Sequence, residues 1–121
     1  MNWHTLTQIE QLEQIKQESQ QYPILIFKHS TRCSISAAAL GRFERNWKHE
    51  AVGDLKPYFL DLIAYRNISN AIAEMYDVVH ESPQVLLIHQ GQCVYDTSHF
   101  DISFEALSKQ LNALNMVSES K

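Results

Sequence analysis

The chain has 121 residues, 45% of them hydrophobic, with only three glycines and three prolines, enough for one domain with an ordinary core over 1–121 and too short for a second. Ten basic against fourteen acidic side chains leave a net charge of −4. No Lys/Arg cluster marks a face for a phosphate backbone or anionic lipid, so neither nucleic acid nor membrane is an expected partner. No apolar run approaches the roughly 20 residues of a membrane span, and Met1-Asn2-Trp3-His4-Thr5 has neither part of a signal peptide. A cytoplasmic protein, monomeric, is the expectation.

In chain order, Thr7-Gln8-Ile9-Glu10 has the form of a capping box, and Ile9, Leu12 and Ile15 recur at three-residue spacing, which predicts a first helix to about Ser19. Tyr22-Pro23 ends it. Ile24-Leu25-Ile26-Phe27 is apolar without alternation, as a strand buried on both faces would be, and predicts a central strand over 23–29. A helix starting at Cys33 follows, with Leu40, Phe43 and Trp47 on one buried stripe and Gly53 closing its polar end. Pro57-Tyr58-Phe59-Leu60-Asp61-Leu62 predicts the next strand, within 56–62, and Ile68, Ala71, Ile72 and Met75 describe a short helix. Glu81-Ser82-Pro83 then punctuates the chain before two antiparallel strands, Gln84–His89 and Gln92–Asp96, joined by the hairpin turn Gln90-Gly91. Ser103 caps a final helix carrying Phe104, Leu107, Leu111 and Leu114 on one face, with Ile102 and Leu107 placed as a hydrophobic staple; residues 115–121 are expected to fray.

The chain holds two cysteines, 60 residues apart; in a reducing compartment an unpaired catalytic thiol is the better expectation than a structural bridge between them. Cys33 stands in Cys33-Ser34-Ile35-Ser36 at a strand-to-helix junction, where unpaired backbone N–H groups and the helix dipole favour the thiolate over the thiol. Arg32 acts in the same sense, and Lys28 adds a weaker field if its side chain turns that way. Ser36 occupies the position of the second thiol in a two-cysteine redox motif, either as an ordinary first-turn residue or as a hydroxyl donor to the Cys33 thiolate. Cys93 reads as a half-buried strand residue, a resolving role staying open. His29 and Cys33, four apart, have no second pair at ligand spacing, so no metal is expected.

An order of β-α-β-α-β-β-α behind an extra N-terminal helix, with a cysteine after the first strand and a proline before the third, is the layout of the thioredoxin fold. The expected architecture is therefore α/β, a four-stranded mixed central sheet flanked by helices, with strand 56–62 at one edge and the hairpin on the other side. In that fold the proline at position 83 is cis and faces the cysteine. A cis Ser82-Pro83 bond would leave the Ser82 backbone free to pair with an extended substrate beside Cys33.

Three segments carry a closer likeness: Phe27-Lys28-His29-Ser30-Thr31-Arg32-Cys33-Ser34-Ile35-Ser36, His80-Glu81-Ser82-Pro83-Gln84-Val85-Leu86-Leu87-Ile88 and Thr97-Ser98-His99-Phe100-Asp101-Ile102. Together they resemble the monothiol bacilliredoxins, thioredoxin-like proteins of the bacillithiol redox system, over about the whole chain. The family motif often has proline directly after the cysteine, where this chain has Ser34. The resemblance implies removal of bacillithiol from mixed disulfides on oxidised proteins, with Cys33 as the attacking thiolate, bacillithiol as co-substrate and no metal or organic cofactor. It implies S-bacillithiolated client proteins and a low-molecular-weight thiol as partners, with Thr31, Ser34, Ser82 and Pro83 lining the substrate site. Ser98-His99 is placed like the turn that, in the related glutaredoxin fold, binds a carboxylate of the small thiol at the last helix's N-terminus. The competing readings are a thioredoxin-fold redox sensor or interaction module, and a monothiol glutaredoxin-like iron–sulfur carrier, a type that favours Cys-Gly-Phe-Ser instead.

Overall fold

Five strands form one mixed sheet in a computed structural model that describes the backbone of residues 2–119 and the side chains of residues 2–114. In chain order they are β1 (His4–Thr5), β2 (Ile24–His29), β3 (Lys56–Asp61), β4 (Gln84–His89) and β5 (Gln92–Ser98), arranged β1-β3-β2-β4-β5. β2 lies at the centre, parallel to β3 and antiparallel to β4. Its lack of alternation follows from burial on both faces. Ile24 and Ile26 enter one core cluster, Leu25 and Phe27 the other.

Two helix layers cover those faces. The first layer is α1 (Gln11–Glu18) and α4 (Arg66–Tyr76), which contribute Leu12, Ile15, Ile68, Ile72 and Tyr76. The second is α2 (Ser34–Asn46), α3 (His49–Val52) and α5 (Phe104–Glu119), which contribute Ala39, Phe43, Val52, Phe104, Leu107 and Leu111. Ser103 caps α5 as expected, its Oγ accepting from the Ala106 amide at 3.0 Å. Of the tail expected to fray, the backbone to Glu119 continues α5, and residues 120–121 lie outside the described residues. No helix among the described residues is long and apolar enough to cross a membrane.

The expected elements are all present, with corrections at their margins. The sheet has a fifth strand: β1 pairs with β3, so 56–62 is not an edge. The capping box does not form; the Gln11 side chain instead accepts from the amides of Thr7 and Gln8, at 2.8 and 2.9 Å, and α1 starts there with Ile9 exposed. The helix after Cys33 does not run unbroken to Gly53. It stops at Trp47, whose extended backbone separates α2 from the single turn α3. On α4 the buried stripe ends in Tyr76 instead of Met75, which is exposed. Gln90 and Gly91 both have positive φ, 53° and 76°, the type I′ geometry that matches the twist of the strands it joins.

Candidate active site

The sheet register gathers three loops at one end of the molecule. β2 ends at His29, β4 begins at Gln84 opposite Lys28, and β5 ends at Ser98 opposite Gln84. The loops 30–33, 77–83 and 99–103 therefore meet where β2 stops. Thr31, Arg32 and Ser34 are exposed there, Cys33 and Ser82 half-buried, and Pro83 buried.

Cys33 is the N-cap residue of α2, with φ −119° and ψ 120°, and its carbonyl accepts the first helical bond, from Ala37 at 3.1 Å. A side chain at an N-cap sits where it can accept from the second and third amides of the helix, which have no partner within it. The Cys33 side chain makes no capping hydrogen bond, so what the position offers the sulfur is the field of the helix start.

Ser36 is fully buried, and its hydroxyl is already engaged: the Ser30 amide donates to it at 3.0 Å and His29 Nδ1 lies 2.7 Å away. Ser36 thus ties the first turn of α2 to the end of β2; among the described residues it makes no hydrogen bond to Cys33. His29, weighed with Cys33 as a metal pair, is instead the partner of Ser36. Burial holds its imidazole below the ordinary value, with Asp61 and Glu44 pulling weakly the other way.

Lys28 points to the opposite face, because successive strand residues alternate and Phe27 and His29 face α2. Its ammonium donates to the Ser69 carbonyl of α4 at 3.1 Å and lies 3.5 Å from His80 Nδ1, which is also 3.2 Å from Ser69 Oγ. Lys28 is therefore committed to α4 and not to Cys33. Burial, with no acidic partner among the described residues, lowers it to about 8.

The Ser82-Pro83 bond is cis, as expected, and Ser82 makes no backbone hydrogen bond among the described residues. Ser98 and His99, by contrast, are not at the N-terminus of α5. A 3₁₀ turn, His99–Asp101, intervenes and Ser103 takes the cap. The His99 amide donates to the Pro83 carbonyl at 3.1 Å, and its Nε2 pairs with Glu81 at 2.8 Å. His99, with φ 56°, clamps the 81–83 loop instead of presenting a helix end.

Between this turn and α2 lies a groove of about 250 Å³, lined by Ser34, Ile35, Ala38, Ala39, Arg42, His99 and Phe100. It starts one residue from the thiol. Arg42 was not singled out from the sequence, although 35, 38, 39 and 42 fall on one helical stripe that could have marked it. His29 was likewise legible in principle, since it shares a strand face with Phe27.

Cys93 lies at the other end. It pairs with Ile88, which pairs with Ile24 at the start of β2. Five strand steps at about 3.3 Å put roughly 16 Å between that level and the end of β2, and a disulfide requires Cα atoms within about 7 Å. Both cysteines are free. Cys93 packs against the α1/α4 core, donates to the Tyr95 carbonyl at 3.4 Å, and is pushed by burial up to about 11. A resolving attack on Cys33 within one molecule is out of reach.

The family model described as monothiol bacilliredoxin BrxC matches residues 4–107. Among solved structures, a proposed oxidoreductase with a thioredoxin fold is 32% identical, over 87% of this chain and 89% of the other, with a TM-score of 0.74. The thioredoxin of Trypanosoma brucei brucei superposes with a TM-score of 0.70 at 12% identity, covering 95% of this chain and 92% of its own. That of Malassezia sympodialis gives 0.69 at 15% identity, covering 93% and 90%. These two share the fold.

Proposed function

The chain belongs to the monothiol bacilliredoxin family, and from that premise we propose that Cys33 removes bacillithiol from mixed disulfides on proteins. The Cys33 thiolate attacks the bacillithiol sulfur; a bond forms between those two sulfurs, the bond to the client sulfur breaks, and the client leaves as a thiolate that takes a proton from water. A second low-molecular-weight thiolate then attacks the bacillithiol sulfur held on Cys33, releasing a small disulfide and the Cys33 thiolate. One external thiol is consumed per client, its sulfur taking the client sulfur's place in the disulfide while Cys33 is regenerated.

The observation that carries this reading is the pairing of an N-cap cysteine with a buried, hydrogen-bonded serine one turn on. The amides of the first turn favour Cys33 as leaving group in the second step. Ser36 offers no sulfur to displace the small thiol, and Cys93 is too distant to do so. A mixed disulfide on Cys33 therefore lasts until an external thiol arrives, which suits a carrier of one small thiol. The Ser82 backbone and Pro83, at the same end as Cys33, support docking of an extended client segment by main-chain bonds, a mode tolerant of client sequence.

Incubation with a bacillithiolated client, followed by intact mass, tests the reading. Wild type and Cys93→Ser should strip the client and gain one bacillithiol; Cys33→Ser should do neither. Stripping by Cys33→Ser would overturn the mechanism.

A further inference from the structure

We propose that the groove between α2 and the 3₁₀ turn holds the carboxylate-bearing end of the small thiol joined to Cys33, with Arg42 binding that carboxylate. This rests on the thiol-transfer reading above and adds what distinguishes one small thiol from another.

The argument starts from where the groove lies. Ser34 forms its near end, next to the reacting sulfur, and Arg42 lies further along the helix. Nine residues separate Cys33 from Arg42, about 13 Å of helix rise. Helical side chains slant toward the N-terminus, so the guanidinium leans back toward the thiol, to about the reach of a small molecule. The walls are Ile35 and Phe100, 42% and 77% exposed, over a floor of Ala38 and Ala39. A volume of about 250 Å³ takes part of a small molecule, not a folded segment.

Charge complementarity then selects the occupant. Arg42 is half-buried, and one of its N–H groups donates to the Ile102 carbonyl at 3.2 Å, which tethers the guanidinium to the wall of the groove. It has no ion pair among the described residues, in a chain where acids outnumber bases fourteen to ten. Glu81 is engaged by His99, and Asp101, in the turn beside Ile102, makes no ion pair with Arg42. Four donors of a held, partly desolvated guanidinium stay available, the fork geometry that carboxylates match. Arg42 is thus a specificity-determining residue that acts on the small thiol and leaves the sulfur chemistry to Cys33.

The experiment compares one client protein carrying two mixed disulfides in turn, with bacillithiol and with uncharged 2-mercaptoethanol. Arg42→Gln should raise KM for the bacillithiol disulfide about tenfold or more, leave kcat little changed, and leave both constants for the 2-mercaptoethanol disulfide within twofold. Arg42→Lys, which keeps the charge, should restore part of the preference. Added salt should narrow the wild-type preference and not affect that of Arg42→Gln. Equal loss with both disulfides would overturn the proposal, since the arginine would then serve the fold or read an acidic client segment. An unchanged preference in Arg42→Gln would overturn it too. A wild type that strips neither disulfide would instead sink the transfer reading itself, so the two failures are separable.

Discussion

At the end of the sheet where β2 stops and β4 begins, Lys28, His29, Ser30, Ser36, Ser69 and Gln84 are all buried; at the hairpin end, Ser19 is the one buried polar residue among the described residues. The hairpin end has its own network, Glu18 accepting from Lys56, Tyr58 and Tyr22, but its charged groups keep some exposure, whereas the groups at the other end are buried. The two cysteines sample that difference. Cys93 sits among apolar side chains and Tyr76, donates to a carbonyl and is held protonated. Cys33 heads a helix at the polar end, half-exposed beside a groove. Residue type is identical, so position in the fold decides which sulfur is held protonated and which lies open beside a groove. Buried polar groups are costly unless bonded, and their concentration near Cys33 marks where the chain gives up some packing to hold a site rigid.

The most forceful way to break this contrast is to label both sulfurs. A thiol titrating at about 11 is thiolate in about one molecule in 10⁴ at pH 7. Iodoacetamide should therefore modify Cys33 well ahead of Cys93, whose rate should gain about tenfold per pH unit as its thiolate fraction grows. Peptide mass mapping over a time course reads both rates. Comparable rates at pH 7 would mean that the two ends do not differ chemically and that a catalytic assignment to Cys33 has lost its physical basis.

A smaller effect sharpens what the wiring does. Ser36→Ala removes the acceptor of the Ser30 amide and the partner of His29 Nδ1, both buried. Leaving such groups unpaired should lower unfolding stability by about 1–3 kcal/mol, against a few tenths for alanine at an exposed position such as Ser34. Denaturant unfolding measures it. Since His29 is held neutral by burial, its protonation favours the unfolded chain, so wild-type stability falls as pH drops through the imidazole range near 6.5. Equal, negligible losses at Ser36 and Ser34 would show that the network does not stabilise the helix start.

Much of this architecture was written plainly in the sequence, and the misses have physical causes. The unbroken apolar run of Ile24–Phe27 announced a doubly covered strand, and Gln90-Gly91 between two apolar runs announced the hairpin. Two-residue β1 carries no periodicity to detect, and it exists because β3 offers it an open edge. Cys33 was legible because a thiol at a strand-to-helix junction is a local pattern. The bonds of Ser36 were not, since they join a helix turn to a strand end seven residues back and depend on which face His29 takes. Ser98-His99 was placed by likeness to a turn just ahead of the last helix, and the 3₁₀ turn that separates it from the Ser103 cap carries no sequence signature of its own. Arg42 was not singled out, and Lys28 was offered as a weak field on Cys33, because which face each side chain takes and how deeply it is buried are not local properties.

Lys28 supplies the subtlest test of the two-ended sheet, because it is the most expensive residue at the polar end. It is fully buried and, among the described residues, has one carbonyl and one imidazole for company and no carboxylate. Lys28→Met keeps most of the aliphatic stem and removes the charge, so stability at pH 7 should rise by about 1 kcal/mol. The pH dependence fixes the cause. The folded chain releases the lysine proton near 8 and the unfolded chain near the ordinary lysine value of about 10.4. Between those values the unfolded state binds more protons, so wild-type stability climbs with pH, whereas below about 8 both states are charged and the burial penalty is constant. The methionine variant should lack that climb, and its advantage should shrink from pH 8 to pH 10. A variant less stable than wild type at pH 7 would show instead that the bond to Ser69 outweighs the cost of the buried charge, and that the polar end is held together by its lysine.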